Sequence, residues 1–172
     1  MSAREDIQEE EELKQKELKF QNAVMQALRA YGISSIASGS ASSIDEYIID
    51  INDPFRIVAL IDFKVQSRVQ SQPVAITDDQ RTFLSSAWRE RVFFVVRLLH
   101  EEAKYVILTN KGIVPFLTTN EDRKKGSITL FKLSPRNLYN DEMNSLKESG
   151  DIKVCKNMPE LIDCLSKLLK SL

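Results

Sequence analysis

The spacing of hydrophobic positions predicts one long helix at the start of the chain. Over residues 4–31 the apolar side chains recur at three- and four-residue steps, which is typical of a helix that buries a single stripe. The members of this stripe are Leu13, Phe20, Val24, Ala27, Leu28 and Tyr31. Gly32 follows directly and is a favourable residue for ending a helix. The positions before Leu13 are charged all round, so residues 1–12 are predicted to be a solvated helical extension.

The middle of the chain reads as strands. The runs EYIIDI (46–51) and RIVALIDFKV (56–65) flank NDPF, whose Asn, Asp and Pro favour a turn, so a β-hairpin is expected. The small-residue stretch SSIASGSASS (34–43) predicts a loop, or a strand that leads into a loop. VFFVVRLL (92–99) is almost continuously apolar, which favours a central strand, and KYVILTN (104–110) predicts another.

Helical patterns return on both sides of these later strands. TDDQRTFLSSAWRER (77–91) predicts a helix with Thr77 as its N-cap and acids in its first turn. Further on, GIVPFL and SITLFKLS predict short strands around the charged loop TTNEDRKKGS. Two helices should follow, one over roughly 138–149 and one in PELIDCLSKLLKSL (159–172).

The order of these elements predicts an α/β fold with a mixed central sheet flanked by helices. We expect residues 13–172 to form a single domain, with a core over about 13–110 and a C-terminal elaboration over 111–172. Residues 1–12 are expected to form an N-terminal helical arm, and the C-terminal part of the chain is expected to be helical.

Composition narrows the classes of function. The chain has 172 residues and a net charge of -1, so any contact with nucleic acid must come from a local basic patch. Its two cysteines have no metal-ligand spacing, and the acidic start is unlike a signal peptide, which together predict an intracellular protein. No apolar run is long enough to span a membrane. No Gly-rich phosphate loop is present, so no small-molecule cofactor is expected.

An acid and a base lie close together in the apolar strand VALIDFKVQ. Asp62 and Lys64 are two residues apart, so both side chains point to one face of the strand. The pattern acid-x-Lys occurs six times in the chain and means little by itself, but this copy alone lies late in a strongly apolar strand. Two interpretations remain open: a weak ion pair where the strand emerges into solvent, or a functional site.

The predicted hairpin adds a third charged residue to this pair. If the turn is centred between Asp53 and Pro54, cross-strand partners have numbers that sum to about 107, and Asp62 lies opposite Asp45. Two carboxylates placed together favour a hard cation between them, and Mg²⁺ commonly takes one or two carboxylates plus water. Asp50 would pair roughly 17 Å away along the strand, which makes it the poorer ligand.

These residues resemble a known family. The segment LRAYGISSIASGSASSIDEYII…VALIDFKVQSR is similar to the PD-(D/E)xK nuclease superfamily, and most similar within it to archaeal Holliday-junction resolvases and related restriction-type endonucleases. The resemblance covers residues ~13 to 98 and implies a restriction-endonuclease-like core. It implies a Mg²⁺-dependent DNA endonuclease, in which Mn²⁺ can substitute. Such an enzyme would act in recombination, repair or mobile-element processing, with branched DNA as a candidate substrate. Such nucleases commonly work as homodimers.

The resemblance also implies roles for individual residues. Asp45 matches the first motif acid, Asp62 and Lys64 match the second motif, and Gln80 matches a glutamine that faces the metal site. Asp45, Asp62 and the peptide carbonyl of Phe63 would bind the metal. Lys64 would position the attacking water, and Gln80 would orient the water or the lysine. For DNA contact the implied residues are the serines and arginines Ser38, Ser40, Arg68 and Arg81.

One departure from the family pattern leaves an alternative open. Resolvases carry a Glu in the first helix, where this chain has Gln21 in the expected register and Glu17 one turn earlier. The chain could therefore be a decayed nuclease-fold protein that acts as a nucleic-acid-binding or assembly subunit. A further alternative is an unrelated α/β protein whose helical arm binds a partner.

Overall fold

The computed structural model describes residues 3–38, 44–66, 74–76, 80, 82, 86, 88–99, 105–122 and 126–172. The strands are β1 (Ser34–Ala37), β2 (Glu46–Asp50), β3 (Asp53–Gln66), β4 (Val74–Ile76), β5 (Val92–Leu98), β6 (Tyr105–Leu108), β7 (Leu117–Asp122), β8 (Gly126–Phe131) and β9 (Ile152–Cys155). The α-helices are α1 (Ala3–Ala30), α2 (Asn110–Ile113), α3 (Pro135–Leu138), α4 (Asn144–Glu148) and α5 (Met158–Lys170). Short 3-10 turns lie at Arg89–Arg91, Val114–Phe116 and Asp141–Met143.

A mixed sheet of six strands forms the centre of the described chain. Its strand order is β1-β2-β3-β5-β6-β9, in which β3 and β5 run parallel and the other neighbours are antiparallel. A second sheet of three strands has the order β4-β8-β7. Helices lie against the central sheet, so the predicted α/β class with a mixed central sheet is confirmed.

Helices α1 and α5 cover one face of the central sheet. The core between them takes Phe20, Val24 and Leu28 from α1 and Leu161 and Leu165 from α5. The sheet side of this core consists of alternate residues along the strands, among them Ile61, Phe63, Val65, Phe93, Val95 and Ile107. The α1 stripe predicted from sequence, apart from Tyr31, therefore faces the sheet, as its periodicity requires.

The other face of the central sheet packs on the second sheet and the segments next to it. Leu60 of β3 and Phe94 and Val96 of β5 point to this side, where Phe116 and Phe131 meet them. β5 is buried on both faces, which explains its continuous apolar sequence. Asp62 and Lys64 alternate with the residues of the first face, so they lie on this second face.

The hairpin forms, but its turn is two residues earlier than predicted. Ile51 and Asn52 make the turn, and β3 already begins at Asp53, so NDPF is not the turn. The register shifts between Ile48 and Asp50 absorb this difference. Beyond the shifts Glu46 lies opposite Ile61, which is the register expected from sequence.

Other differences lie in the second half of the chain. GIVPFL is helical up to Phe116, and only Leu117 is extended. Thr109 caps α2 by accepting a hydrogen bond from the Gly112 N–H at 3.2 Å, and Pro115 lies in the 3-10 turn that follows. The loop TTNEDRKKGS is largely hairpin, since β7 extends to Asp122. The single helix expected over 138–149 is divided among α3, a 3-10 turn and α4.

The C-terminal end of the predicted α1 stripe needs correction. Tyr31 lies outside α1 and is exposed, with Lys170 Nζ 5.8 Å from its ring centroid, so it is no part of the buried stripe. The helix expected over 77–91 falls mostly outside the described residues. Within the described ranges, no helix is both long and apolar enough to cross a membrane.

Candidate active site at the free edge of strand β3

Strand β3 outruns its partner β2, and this difference in length creates the site. Pairing between the two strands ends at Ile61, which lies opposite Glu46, whereas β3 continues to Gln66. On the other side β3 remains paired with β5 as far as Gln66. The backbone N–H groups of Phe63 and Val65 therefore face an edge where β2 no longer supplies acceptors.

Two carboxyl groups take the place of the missing strand. The Phe63 N–H donates to Asp45 Oδ2 at 2.7 Å. The backbone N–H of Val65 lowers the pKa of the Glu17 carboxyl group, which α1 brings to the same edge. Asp45 comes from the residues just before β2, so three separate parts of the chain meet here.

The Asp62–Lys64 pair is buried beside this edge. Asp62 is 2% exposed and Lys64 is 4% exposed, and Lys64 Nζ lies 3.0 Å from Asp62 Oδ2. Gln80 is buried too, and its Nε2 donates to Asp62 Oδ1 at 3.0 Å. The pair is thus not a solvated strand end, which excludes the weak surface ion pair considered from sequence.

Burial and like charge raise the pKa of two of the carboxyl groups. Desolvation raises the pKa of Asp45 to about 8, with the neighbouring charge of Asp62 as the next cause, although the Phe63 N–H opposes the shift. Desolvation also raises the pKa of Glu17 to about 7, and the charge of Lys64 works in the opposite direction. These carboxyl groups hold protons far more tightly than exposed acids do.

A fourth carboxyl group belongs to Glu46, the residue that follows Asp45 at the start of β2. Glu46 is 3% exposed, and its Oε1 accepts a hydrogen bond from Gln21 Nε2 at 3.0 Å. Its other oxygen, Oε2, is buried and has no hydrogen-bond partner among the described residues. Gln21 therefore binds Glu46, while Glu17 is the α1 acid that lies next to Asp62 and Lys64.

Gln66 continues the polar row of β3 beyond Lys64. It is fully buried, and its Oε1 accepts from the Leu133 N–H at 3.1 Å, which ties β3 to the segment after β8. Within the part of the chain that the structure describes, its Nε2 has no hydrogen-bond partner. The row Asp62, Lys64 and Gln66 thus lies on one face of the strand, as alternation requires.

The structure brings together four of the residues singled out from sequence. Asp45, Asp62, Lys64 and Gln80 lie at this edge, and Phe63 contributes its backbone there. Ser38 is close by, because its N–H donates to the Asp45 carbonyl oxygen at 3.0 Å. The other residues predicted to contact DNA, Ser40, Arg68 and Arg81, lie outside the described residues. The catalytic and binding roles of all these residues stay predictions.

Asp50 is far from the site. It pairs with Asp53 at the turn, and its carboxylate is 3.9 Å from Arg56 Nη1. Asp62 follows nine residues further along β3, which corresponds to roughly 30 Å of extended strand. Asp45 is thus the β2-side acid that lies beside Asp62.

The donor set fits a hard divalent cation with few protein ligands. Among the described residues no three His, Cys, Asp or Glu side chains converge closely enough to hold a metal ion as they stand. Within the described chain, Asp62 Oδ2 nevertheless lacks a well-oriented hydrogen bond. Carboxyl groups also outnumber ammonium groups here: the acids are Glu17, Asp45, Asp62 and Glu46, and the nearby bases are Lys64 and Lys14. Mg²⁺ commonly uses one or two carboxylates and completes its shell with water, which suits this edge.

Sequence reasoning left the α1 acid undecided and did not identify Glu46 or Gln66. The signal for Glu17 was its spacing of one turn from Gln21, which places both side chains on one face of α1. The signal for Glu46 was an acid at an inward-facing position of an apolar strand. Gln66 continues the two-residue step of Asp62 and Lys64.

Comparison with known proteins gives one distant structural likeness. No protein-family model and no curated protein matches the chain. A solved structure that is similar is the 1.6 Å structure of Hjc, a Holliday junction resolvase from the archaeal hyperthermophile Archaeoglobus fulgidus. The TM-score is 0.38 and the identity 13%, and the match covers 71% of this chain and 86% of that chain.

Proposed function

We propose that the chain is a metal-dependent DNA endonuclease that hydrolyses phosphodiester bonds. The observation that carries this proposal is the buried Asp62–Lys64 ion pair beside the Asp45 carboxyl group at the free edge of β3. Carboxylates and an ammonium group at one edge can hold a cation and stabilise a phosphate during attack. Nothing about the packing of β3 requires charged residues at these positions, because apolar side chains would fill the same space at lower cost.

Asp45 and Asp62 are the residues that would hold Mg²⁺ or Mn²⁺, together with the Phe63 carbonyl. That carbonyl points to the same side of β3 as the Phe63 N–H, which donates to Asp45. Glu17 adds a further carboxylate at the same edge. A divalent ion bound here supplies Lewis acidity to the phosphate and lowers the pKa of a bound water.

Lys64 and Gln80 have separate tasks in this proposal. Lys64 places a positive charge beside Asp62, where it can stabilise the negative charge that develops on the phosphate oxygens. Gln80 donates to Asp62 Oδ1 and so orients that carboxylate, and orienting the water or the lysine remains its proposed further role. Asp62 Oδ2 is left directed towards Lys64.

DNA would approach the edge from the side of Ser38. The Ser38 N–H binds the Asp45 backbone, so this residue lies at the rim of the site, and Ser40, Arg68 and Arg81 are proposed to contact phosphates. Branched DNA is the proposed substrate class. A homodimer would supply two sites for cuts on two strands.

A second candidate function is a nucleic-acid-binding or assembly subunit with a decayed site. The observation in its favour is that no three metal-ligating side chains of the described residues converge. In that case DNA would bind without cleavage, and divalent ions would leave the stability of the protein unchanged.

The test compares the wild type with Asp62→Asn and with Asp50→Asn. Asp50 is a matched control, because it is an acid on the neighbouring strand that lies far from the site. Mn²⁺ binding is measured by calorimetry, and cleavage is measured on linear duplexes and four-way junctions.

We expect cleavage and Mn²⁺ binding in the wild type and in Asp50→Asn, and the loss of both in Asp62→Asn while its thermal unfolding stays cooperative. The ratio of junction to linear cleavage then decides the substrate class. DNA binding without cleavage in the wild type would instead support the subunit.

A further inference from the structure

We propose that Glu46 is a positioning residue, and that its hydrogen bond with Gln21 aligns the two carboxyl groups that cap the free edge of β3. This proposal rests on the proposed function for its catalytic consequence. Its structural content is independent of activity, because it concerns where Asp45 and Glu17 are held.

The Gln21–Glu46 bond joins the two elements that carry these carboxyl groups. Glu46 follows Asp45 directly at the start of β2, and Gln21 is one turn after Glu17 on the same face of α1. The bond is 3.0 Å long and links residues 25 apart in sequence. A shift of α1 along the sheet would therefore break this bond and move Glu17 away from the Val65 N–H.

The burial of Glu46 sets this bond apart from an ordinary surface contact. The Glu46 carboxyl group is almost wholly buried, yet its bonded partner is a neutral amide rather than a cation. A buried carboxyl group is costly to desolvate, and apolar residues of the same shape would pack there more favourably. A hydrogen bond to a buried acceptor is directional, so what the pair contributes is a fixed position for α1 against β2.

Ser35 marks the same buried region from the neighbouring strand. Ala37 lies opposite Glu46 in the β1–β2 pairing, and Ser35 is two residues from Ala37, so Ser35 and Glu46 share one face of the sheet. Ser35 Oγ and Glu46 Oε2 are both buried, and neither has a hydrogen-bond partner in the described ranges. Within the described chain Gln21 is therefore the group that orients Glu46, because only one of the two carboxylate oxygens of Glu46 accepts a hydrogen bond.

Amide hydrogen exchange tests the positioning directly. The Phe63 N–H donates to Asp45 and the Val65 N–H interacts with the Glu17 carboxyl group, so their exchange rates report whether those groups stay in place. The variants are Glu46→Ala, Gln21→Ala and Glu46→Gln, all studied by NMR without metal. Phe94, in the middle of β5, serves as the reference amide.

We expect exchange at Phe63 and Val65 to be about tenfold faster in Glu46→Ala and Gln21→Ala, with Phe94 unchanged. Glu46→Gln keeps an acceptor for Gln21 and should exchange like the wild type. Unchanged rates in Glu46→Ala would overturn the proposal. Equal acceleration at Phe94 would also overturn it, because it would indicate a general loss of stability.

Cleavage assays then separate this proposal from the proposed function. Loss of positioning should raise the half-saturating Mg²⁺ concentration of Glu46→Ala by about tenfold, with little change in KM for DNA and with rescue in Glu46→Gln. Equal defects in Glu46→Ala and Glu46→Gln would show that charge rather than the hydrogen bond matters, and would overturn the proposal. If the wild type cleaves nothing, the proposed function fails, and the exchange rates still decide the positioning role.

Discussion

Asp62 and Lys64 form a buried ion pair on β3. Asp62 and Lys64 are both withdrawn from solvent, and Gln80 completes one side of the Asp62 carboxylate. Each charge is tolerable because the other is 3.0 Å away. Removing one member alone therefore has a different consequence from removing both.

Lys64→Met should destabilise the protein by about 3–5 kcal/mol, because it leaves the Asp62 carboxylate buried without a cation. The double variant Asp62→Asn with Lys64→Met should lose much less, since no uncompensated charge remains. Urea unfolding of the wild type, both single variants and the double variant measures the coupling. Additive effects would contradict a coupled pair.

The raised pKa values of Asp45 and Glu17 predict how stability depends on pH in the metal-free protein. Folding raises these pKa values from 3.8 to about 8 and from 4.5 to about 7, so the folded state binds more protons than the unfolded state between these limits. Stability should therefore fall as the pH rises from about 4 to about 8. Asp45→Asn should make this fall shallower, because one of the two groups no longer titrates.

Thermal unfolding between pH 5 and pH 8 checks this prediction. Saturating Mg²⁺ should stabilise the wild type more at pH 8 than at pH 5, because a metal binds the deprotonated carboxylates. Metal-free stability that rises across this interval would contradict the pKa assignment.

At the scale of elements, the register of the β2–β3 hairpin determines which acids meet. Alternation between buried and half-buried positions fixes the register, since a slip of one residue would turn Ile48 and Ile61 away from the core under α1. The turn itself is less constrained, and the shifts between Ile48 and Asp50 accommodate it. Asp45 consequently lies beside Asp62 even though the turn is not at NDPF.

The contact between α2 and the start of β9 gives an element-scale prediction. A Cβ atom on Gly112 would collide with the backbone carbonyl of Asp151, which cannot move as a flexible side chain can. Gly112→Ala should destabilise by about 1–3 kcal/mol or more through overpacking. Gly150→Ala is the control, because its Cβ meets no atom within 4 Å and only the positive φ of 83° opposes it.

Chemical denaturation of both alanine variants makes the comparison. We expect the larger loss at Gly112, because backbone strain at Gly150 is about 1 kcal/mol. A smaller loss at Gly112 than at Gly150 would show that β9 yields at this contact.

At the scale of the whole molecule, charge is distributed unevenly around the site. Residues 1–12 hold six acids and one arginine, although the net charge of the chain is only -1. Helix α1 is continuous from Ala3 to Ala30, so this acidic arm and Glu17 of the site belong to the same helix. The arm therefore projects negative charge from the element that caps the edge of β3.

Deletion of residues 1–12 should leave the thermal stability nearly unchanged and tighten DNA binding at low salt. Among the described side chains of α1, Leu13 is the first that packs on the core, and the deletion makes the net charge positive. Fluorescence anisotropy against salt concentration measures the effect, which should shrink as salt screens the charges. Equal affinities of the two proteins at low salt would contradict an electrostatic role of the arm.

The sequence by itself determined the elements whose periodicity is strong. Helix α1, the buried strand β5 and the amphipathic α5 all follow from local spacing, because each buries a regular face or is apolar throughout. The proximity of Asp45 and Asp62 also followed from sequence, because the alternating pattern of two adjacent strands fixes their pairing.

Only the tertiary structure decided the features that depend on distant partners. Strand β9 is short and lies in a polar stretch, so its place beside β6 comes from pairing rather than pattern. GIVPFL has an apolar sequence that suits a strand, but Thr109 and Pro115 make it helical. The choice of Glu17 over Gln21 at the site, and the burial of Glu46, required the packing of α1 on the sheet, because side chains 25 or more residues apart meet only when the chain is folded.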